Sequence, residues 1–419
     1  MAREMKDSGI KWIGEIPIDW KCVRLKHFYE FEKGKNAAQY TQEYLGLHNG
    51  NYPVYSGQTE NNGIMGKIDT FDYDITECLF TTTVGAKVMT PKILCGKFSL
   101  SQNCLIMKQI KECNNKFFYY ILFPLFDYEK SLIPTYMQPS LRMEDLKKYT
   151  FFIPRESEQR KIADFLYEKG LELDNILEKT RASIGEYKKL KQAVITQAVT
   201  KGIRGNREMK DSRSTWFGQI PRDWNMRKIK YIFKIQKDIA GKEGYTVLSI
   251  TQKGIKPKDL SKNEGQLAEN YSNYQLVHMG DFAMNHMDLL TGWVDVSKYE
   301  GVTSPDYRVF GLIDKDNYCS QYFLYLMQMC YTNRIFYGLG QGVSGLGRWR
   351  LQADKFLNFS ITVPSYEEQQ EIANYLDKKC SAIDELIAKK EQYLSEIENY
   401  KKSLIYEYVT GKKEVPQNC

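Results

Sequence analysis

The sequence predicts an α+β protein in which two mixed α/β domains are separated by two long helices that form an antiparallel coiled coil. Three observations predict this fold. Two sequence motifs each occur twice, and a long proline-free segment with a single apolar stripe follows each copy of the second motif. A duplication of this kind predicts a pseudo-twofold internal repeat, and the 419-residue chain is long enough for two domains.

The first duplicated motif, called the tryptophan motif here, reads W-x-G-x-I-P-x-D-W. Residues 5–20 are MKDSGIKWIGEIPIDW and residues 209–224 are MKDSRSTWFGQIPRDW, an offset of 204. The second, the helix-start motif, reads P-x(3)-E-Q and occurs in residues 153–166 and 363–376, an offset of 210. Residues 30–145 and 235–354 share no run that aligns, so the layout is a variable unit followed by a shared unit, twice.

Each helix-start motif opens a segment predicted to be helical. Acidic residues follow Pro154 and Pro364 and suit the positive end of a helix dipole. Apolar residues then recur in steps of three and four, which places them on one stripe of a helix. The residues predicted to pair the two helices are Leu173, Leu177, Ile184, Tyr187, Leu190 and Val194 in the first copy and Ile383, Ile387, Leu394, Ile397, Tyr400 and Leu404 in the second.

A long helix with one apolar stripe is not stable alone in water, so each copy needs a partner stripe, and the other copy supplies it. The alternative is a pair of independent surface helices on one globule. The predicted boundaries are 1–154 for the first mixed α/β domain, 155–200 for the first helix, 201–214 for a basic linker, 215–364 for the second mixed α/β domain, 365–412 for the second helix and 413–419 for a tail. The linker is interpreted either as a solvated hinge or as a segment near phosphate.

The sequence predicts that each variable unit contains a small mixed sheet, followed by a helix and a polar loop. Alternating patterns and Gly/Asn punctuation predict short strands. The candidates are 51–74, 78–84, 86–90 and 103–108 in the first unit, and 245–251, 281–285, 291–297 and 307–313 in the second. Apolar helix candidates lie at 117–126 and 322–331.

Composition excludes several classes of protein. The longest apolar run, 117–126, is broken by Pro124 and is too short to span a membrane. The charged N-terminus has no apolar signal core, and nine cysteines without a CxxC pair fit reduced thiols, so we expect a cytoplasmic protein without a zinc site. The net charge of +7 permits a polyanionic partner without requiring one.

Catalytic signatures are missing from the sequence. It contains no GxxxxGK[ST], HExxH or GxSxG motif, and its four histidines lack metal-ligand spacing. Residues 340–345 fit GxGxxG, but they do not stand between a strand and a long helix, which argues against a dinucleotide site. The sequence therefore favours a binding module whose chemistry resides on other chains.

The polar loops carry residue types that contact base edges and phosphates. Gln and Asn can hold adenine, Arg can hold guanine, and ordinary turn chemistry is the alternative role for each residue. The stretch 138–142 is interpreted as matching 341–350 in position. The candidate DNA-binding residues are Tyr55, Ser56, Gln58, Thr59, Asn61, Lys87, Gln138, Ser140, Arg142, Asn285, His286, Asp288, Tyr307, Arg308, Gln341, Ser344, Arg348 and Arg350.

Taken together, the duplicated motifs and the segments 52–66 and 285–310 make nearly the whole chain resemble the specificity subunit of type I restriction–modification enzymes. The resemblance implies that each variable unit reads one half of a bipartite, asymmetric double-stranded DNA target. It also implies that the helices set the spacer and dock two methyltransferase subunits, and that a restriction and translocase subunit joins the complex.

The same resemblance implies that AdoMet, ATP and magnesium bind to partner subunits and that this chain holds no cofactor. Two other interpretations remain at this stage. One is a coiled-coil scaffold that binds proteins and has no DNA specificity. The other is a self-contained nuclease–methyltransferase, which the missing motifs disfavour.

Overall fold

The structure is a computed structural model, and it describes residues 3–58, 60–85, 87–259, 270–342 and 349–416. Its contacts divide the chain into two compact units. Unit 1 comprises Met1–Arg181 and Gln392–Cys419, and unit 2 comprises Ala182–Glu391. Each long helix contributes one part to each unit, so the units cut across the segments that the sequence predicts.

Unit 1 is built around a six-stranded sheet in the order β4-β9-β7-β8-β5-β6. Its helices are α1 (Gln42–Leu47), α2 (Asn115–Ser131), α3 (Met143–Lys148) and the first part of α4 (Glu156–Lys201). Its strands are β1 (Met5–Asp7), β2 (Glu15–Pro17), β3 (Lys21–Arg24), β4 (Tyr29–Lys33), β5 (Asn49–Tyr55), β6 (Ile64–Ile68), β7 (Tyr73–Thr82), β8 (Lys92–Leu100), β9 (Cys104–Gln109) and β10 (Thr150–Ile153).

Unit 2 has a four-stranded sheet in the order β14-β21-β18-β19, with smaller two-stranded ladders around it. Its helices are α5 (Ser320–Thr332), α6 (Ile335–Leu339), α7 (Ala353–Asn358) and the first part of α8 (Tyr366–Val409). Its strands are β11 (Met209–Asp211), β12 (Gln219–Pro221), β13 (Asn225–Lys228), β14 (Phe233–Gln236), β15 (Leu248–Thr251), β16 (Gly254–Pro257), β17 (Gln275–Val277), β18 (Phe282–Met284), β19 (Val294–Val296), β20 (Gly301–Thr303), β21 (Arg308–Leu312), β22 (Gln341–Gly342), β23 (Trp349–Arg350) and β24 (Ser360–Val363).

One apolar helix fills the core of each unit. In unit 1, Phe117 and Phe118 of α2 are fully buried in the same cluster as Phe151 of β10. In unit 2, Tyr322 and Phe323 of α5 are fully buried in the corresponding cluster. The helices predicted at 117–126 and 322–331 therefore exist and supply the core, which fixes the sheet on one side.

One predicted strand is wrong. Residues 87–89 of the predicted strand 86–90 form a turn, in which the Val88 amide donates to Gly85 and the Met89 amide donates to Thr82. The turn brings the chain back into β8, which the sequence reading missed. Ala86 lies outside the described residues.

The long helices pair antiparallel within each unit, as the order of their ion pairs shows. In unit 1, Asp174 bonds to Lys401, and Arg181, further along α4, bonds to Glu398, further back along α8. In unit 2, Lys188 pairs with Glu391 and Lys191 pairs with Asp384. Adding 210 to the α4 residue of a unit 1 ion pair and subtracting 210 from its α8 partner gives the two residues of a unit 2 ion pair. The two helix pairs therefore share one register.

The predicted stripe needs a correction at one position in each helix. Leu173, Leu177, Ile184, Ile383, Ile387 and Leu404 are buried, and Tyr187, Val194, Leu394 and Ile397 are half-buried. Leu190 and Tyr400, however, are 48% and 55% exposed. Coiled-coil spacing alternates steps of three and four, so the residue after Tyr187 on the seam is Lys191, not Leu190.

The two duplicated motifs of unit 1 meet at an arginine that the sequence reading did not single out. Arg3 Nη1 donates to Glu158 Oε1 at 2.6 Å, and Arg3 Nη2 donates to Asp19 Oδ1 at 3.1 Å. Its guanidinium carbon lies 5.7 Å from the ring centre of Trp20. We call this group the arginine clamp of unit 1. It joins the tryptophan motif to the start of α4.

Unit 2 has the same clamp. Arg207 bonds to Glu368 and, at 2.7 Å, to Asp223, and its guanidinium lies 5.8 Å from the Trp224 ring centre. The linker prediction is therefore wrong here, because Arg207 belongs to a partly buried ion pair instead of a solvated hinge. The signal was available, since the repeat REMKDS spans 3–8 and 207–212.

Candidate nucleic-acid interface

Strand register aligns the variable parts of the two units, which sequence comparison could not do. The tryptophan-motif offset of 204 aligns Phe31 of β4 in sequence with Ile235 of β14. Phe31 pairs with Met107 of β9, and Ile235 pairs with Phe310 of β21. Met107 therefore corresponds to Phe310, and two residues earlier Leu105 of β9 corresponds to Arg308 of β21.

The next strand and the following loop align in the same way. Leu79 pairs with Met107 and Phe282 pairs with Phe310, so Thr83 corresponds to His286. Leu141 donates its amide to the carbonyl of Thr83 at 2.8 Å, and Leu351 donates to that of His286 at 2.9 Å.

The loop before α3 and α7 follows the later offset of 210. Ser140 therefore corresponds to Arg350, and Arg142 corresponds to Gln352. The stretch 138–142 therefore corresponds to 348–352, and the broader match to 341–350 predicted from the sequence is wrong.

Unit 2 has a cavity of about 540 Å³ beside these positions. Five of the candidate residues line it: His286, Tyr307, Arg308, Gln341 and Arg350. Four glutamines and three cationic side chains are among its described lining residues, and none of those residues is acidic. The lining residues that the sequence reading did not select are Ile235, Gln236, Lys237, Ile239, Gln275, Pro305, Gly342, Gln352 and Ala353.

Arg308 is the buried charge of this cavity, with a relative exposure of only 6%. Its guanidinium donates to the Leu351 carbonyl at 2.9 Å, contacts Met284 Sδ at 3.9 Å and lies 5.0 Å from the Phe356 ring centre. None of these three groups is negatively charged. Burial, and secondarily the positive charge of Arg350, lowers the pKa of Arg308 to about 10.

His286 is also buried, with an exposure of 5%. Its Nδ1 has no hydrogen-bond partner within the described residues. Burial, followed by the charges of Arg308 and Arg350, lowers the pKa of His286 to about 3, so the ring is neutral at physiological pH. A buried Gln236 Oε1 on the same cavity likewise has no partner among the described residues. The cavity therefore presents unmatched polar groups beside uncompensated positive charge.

Asn285 and Asp288 have a local structural role. Asn285 Oδ1 accepts from the amides of Met287 and Asp288, and Asp288 Oδ1 accepts from those of Leu290 and Thr291. Both side chains thus hold the turn that follows β18. Such turn chemistry is the alternative to DNA contact that the sequence analysis gave for each polar loop residue. They also line a second cavity of about 680 Å³, which Tyr307 shares.

In unit 1, a cavity of about 450 Å³ brings together the loops after β5 and β7 and the turn before β9. Ser56 and Gln58 line it with Gln102 and Asn103, which were not selected from sequence. Its described lining carries hydroxyl and amide groups and no ionisable cation or carboxylate. The cavities of the two units therefore differ in the chemistry of their linings.

The remaining unit 1 candidates are more dispersed. Tyr55 is half-buried against Phe80 and Phe98, and Asn61 donates to the Ile64 carbonyl in a turn. Ser140 bridges to Val84 beside the cavity.

Three further candidates in unit 1, Lys87, Gln138 and Arg142, are exposed, and Arg142 caps α3. Three others, Thr59, Ser344 and Arg348, lie outside the described residues.

Two classes of site find no support within the described ranges. No cluster of three or more His, Cys, Asp or Glu side chains there could hold a metal ion. No helix there is both long and apolar enough to cross a membrane.

The protein-family model described as the type I restriction modification DNA specificity domain matches residues 17–186 and 221–399 of the chain. The chain belongs to this family. Each match contains one variable unit and part of one long helix, so the family resemblance and the fold class read from the sequence are confirmed.

One relative matches nearly the full length of the chain, and another matches about a third of it. The chain is 24% identical over 424 residues to the specificity subunit of type I restriction enzyme MjaVIII of Methanocaldococcus jannaschii, covering 96% of this chain and 94% of that protein. A chain of Mycoplasma pneumoniae provisionally named type I specificity subunit S.MpnORF507P is 32% identical over 150 residues, covering 35% of this chain and 39% of that one.

A solved structure shares the fold. A chain from a structure of the assembly and conformational transition of the type I R-M system has a TM-score of 0.66 at 12% identity, covering 95% of this chain and 99% of the other.

Proposed function

We propose that the chain is the non-catalytic DNA-specificity subunit of a type I restriction–modification complex, and that each unit reads one half of a bipartite, asymmetric target. One observation carries the proposal. The two units share a framework but differ at corresponding loop positions, with Thr83 and Ser140 in unit 1 and His286 and Arg350 in unit 2. Different side chains on matched frameworks are suited to reading different base sequences.

We further propose that α4 and α8 set the spacer between the half-sites and dock two methyltransferase subunits. Both helices run without a proline from Glu156 to Lys201 and from Tyr366 to Val409, which supports a stiff element. A restriction and translocase subunit would complete the complex. AdoMet, ATP and magnesium would bind to those partners, because this chain carries no signature for them.

The test is the methylation pattern of a complex assembled in a host without other adenine methylation. The chain is expressed with its cognate methyltransferase, and modified bases are mapped by long-read sequencing. We expect one split, asymmetric sequence to be modified. Replacement of residues 30–145 by the corresponding segment of another family member should change one half-site and leave the other half-site and the spacer intact.

Three results would count against the proposal. A complex that assembles but neither modifies nor binds a specific sequence would favour a protein-binding scaffold. An exchange of residues 30–145 that altered both half-sites together would refute independent reading by two units. Methyl transfer by the isolated chain with AdoMet would contradict the assignment of catalysis to partners.

A further inference from the structure

The cavity of unit 2 holds its arginines in two different ways. Arg308 is buried and its contacts are with a carbonyl, a thioether and an aromatic ring. Arg350 is exposed on β23, and its side chain has no ion pair with any described residue. Arg308 therefore forms part of the cavity wall, while Arg350 has an exposed side chain with no ion-pair partner among the described residues.

The backbone that carries Arg350 is anchored on both sides. The next residue, Leu351, donates its amide to His286 and accepts at its carbonyl from Arg308. Arg350 itself pairs across the hairpin with Gln341, whose side chain accepts from Gln352 Nε2 at 3.1 Å. A side chain that must meet a partner in one orientation needs a fixed backbone of this kind.

We propose that Arg350 reads a guanine in the half-site of unit 2 and that Arg308 is a positioning residue that holds the strand carrying Arg350. This inference rests on the proposed function, and it names the base. Guanine presents two adjacent acceptors, O6 and N7, in the major groove, and they match the planar fork of one guanidinium.

The surroundings favour a base edge over a phosphate. Arg350 stands among four glutamine side chains and Tyr307, which are neutral groups that hydrogen-bond with direction. Arg308 and Lys237 line the same cavity as Arg350, so three like charges share a site whose described lining has no carboxylate. His286 adds no further charge, because its ring is neutral. The unit 1 counterpart of Arg350 is Ser140, which cannot supply a forked pair of donors.

The experiment uses the assembled methyltransferase complex and the mapped motif. The half-site of unit 2 is the one that stays when residues 30–145 are exchanged. In Arg350→Ala we expect one G·C position of that half-site to become relaxed, with discrimination at that base falling roughly tenfold to hundredfold. Every other motif position should be unchanged.

Arg350→Lys separates the two ligand chemistries. Lysine keeps the charge but loses the fork, so a guanine reader stays relaxed at the same base. A phosphate contact would instead be largely restored by lysine, and Arg350→Ala would weaken modification uniformly over all sites. Lys298→Ala, which removes an exposed charge from a different turn of unit 2, is the matched control and should leave the motif intact.

Arg308→Met tests positioning. We expect it to relax the same base as Arg350→Ala although Arg350 is present. A merely structural role would lower modification at all sites without altering the motif.

The proposal is overturned by that uniform loss in Arg308→Met or by rescue in Arg350→Lys. It is also overturned by a unit 2 half-site without a G·C pair. A wild-type complex with no motif would instead defeat the proposed function itself.

Discussion

The two units place different chemistry on corresponding residues of one framework. At the same strand position, unit 1 has Leu105 with 0% exposure and unit 2 has Arg308 with 6% exposure. The neighbouring strands pair in the same register in both units, so the framework does not depend on this side chain. The difference shows that a position in the sheet core can carry a charged side chain where a cavity lies beside the sheet.

The clamps show the opposite behaviour, because the residues are the same and the burial differs. Glu368 of unit 2 has a side-chain exposure of 3%, whereas Glu158 of unit 1 has 30%. Trp224 Nε1 donates to Glu368 Oε2 at 3.0 Å, while the buried Trp20 Nε1 has no partner among the described residues. An identical motif therefore contributes differently to stability in the two units.

Exchange of the core residues should give the largest effect. In Leu105→Arg, a charge enters a fully buried site in unit 1, and we expect the free energy of unfolding to fall by more than about 4 kcal/mol. Hydrogen exchange resolved by peptide should show faster exchange in unit 1 while unit 2 keeps its protection. Equal loss of protection in both units would contradict the assignment of Leu105 to an independent core.

The reverse change, Arg308→Leu, should leave the free energy of unfolding of unit 2 unchanged or raise it. A pKa of about 10 instead of 12.5 disfavours the buried charge by about 3 kcal/mol, and an apolar residue removes this cost. A large destabilisation of unit 2 would show that Arg308 supports the fold and is not retained for recognition.

The clamp arginines should give the next largest effect. Arg207→Met leaves the buried Glu368 without its cation, so we expect a loss of about 3 kcal/mol. Arg3→Met leaves the more exposed Glu158 and should cost about 1 kcal/mol. Chemical denaturation monitored separately for each unit by hydrogen exchange measures both. Equal losses would mean that side-chain exposure does not govern the strength of the clamp.

The tryptophans should also differ between the two units. Trp224→Phe removes a hydrogen bond to a buried carboxylate, which contributes about 1.5–3 kcal/mol, whereas Trp20→Phe removes an N–H without a described partner. Both variants lose similar ring volume, so the comparison isolates the hydrogen bond. We expect unit 2 to lose more stability than unit 1 by about 2 kcal/mol in thermal unfolding, and an equal loss would assign the effect to packing.

Much of the architecture could be predicted from the sequence because duplication and helical periodicity are local signals. The helix-start motifs, which begin at Pro154 and Pro364, located both long helices, and the apolar runs located α2 and α5. The correspondence of Leu105 with Arg308 could not be predicted, since it depends on which strands pair and in what register. No spacing along the chain contains that information.

The candidate site was predictable in residue type but not in role. The sequence selected His286, Arg308 and Arg350 together, and the structure brings them to one cavity. It also selected Asn285 and Asp288, whose oxygens hold a turn. A polar residue in a loop gives the same sequence signal whether it faces a ligand or its own backbone. Only the fold distinguishes the two roles.

The smallest predicted effect concerns the seam of the helix pairs. Lys191 and Lys401 are only 30% and 28% exposed at corresponding seam positions. An aliphatic lysine stem can bury apolar area while its charged end stays in water. Lys191→Leu loses an exposed ion pair with Asp384 but buries more apolar area, so unit 2 should gain about 0.5 kcal/mol. Lys401→Leu should do the same in unit 1.

The matched control for the seam is Leu190→Lys, at a position 48% exposed, which should change stability by less than about 0.5 kcal/mol. Denaturant titration of the three variants and the parent chain tests the register. A seam through Leu190 would reverse the order of stabilities of the leucine and lysine variants. Leu190→Lys would then be strongly destabilising and Lys191→Leu neutral. The shared register also requires the two lysine variants to agree with each other, and disagreement would show that the units do not pair their helices in one way.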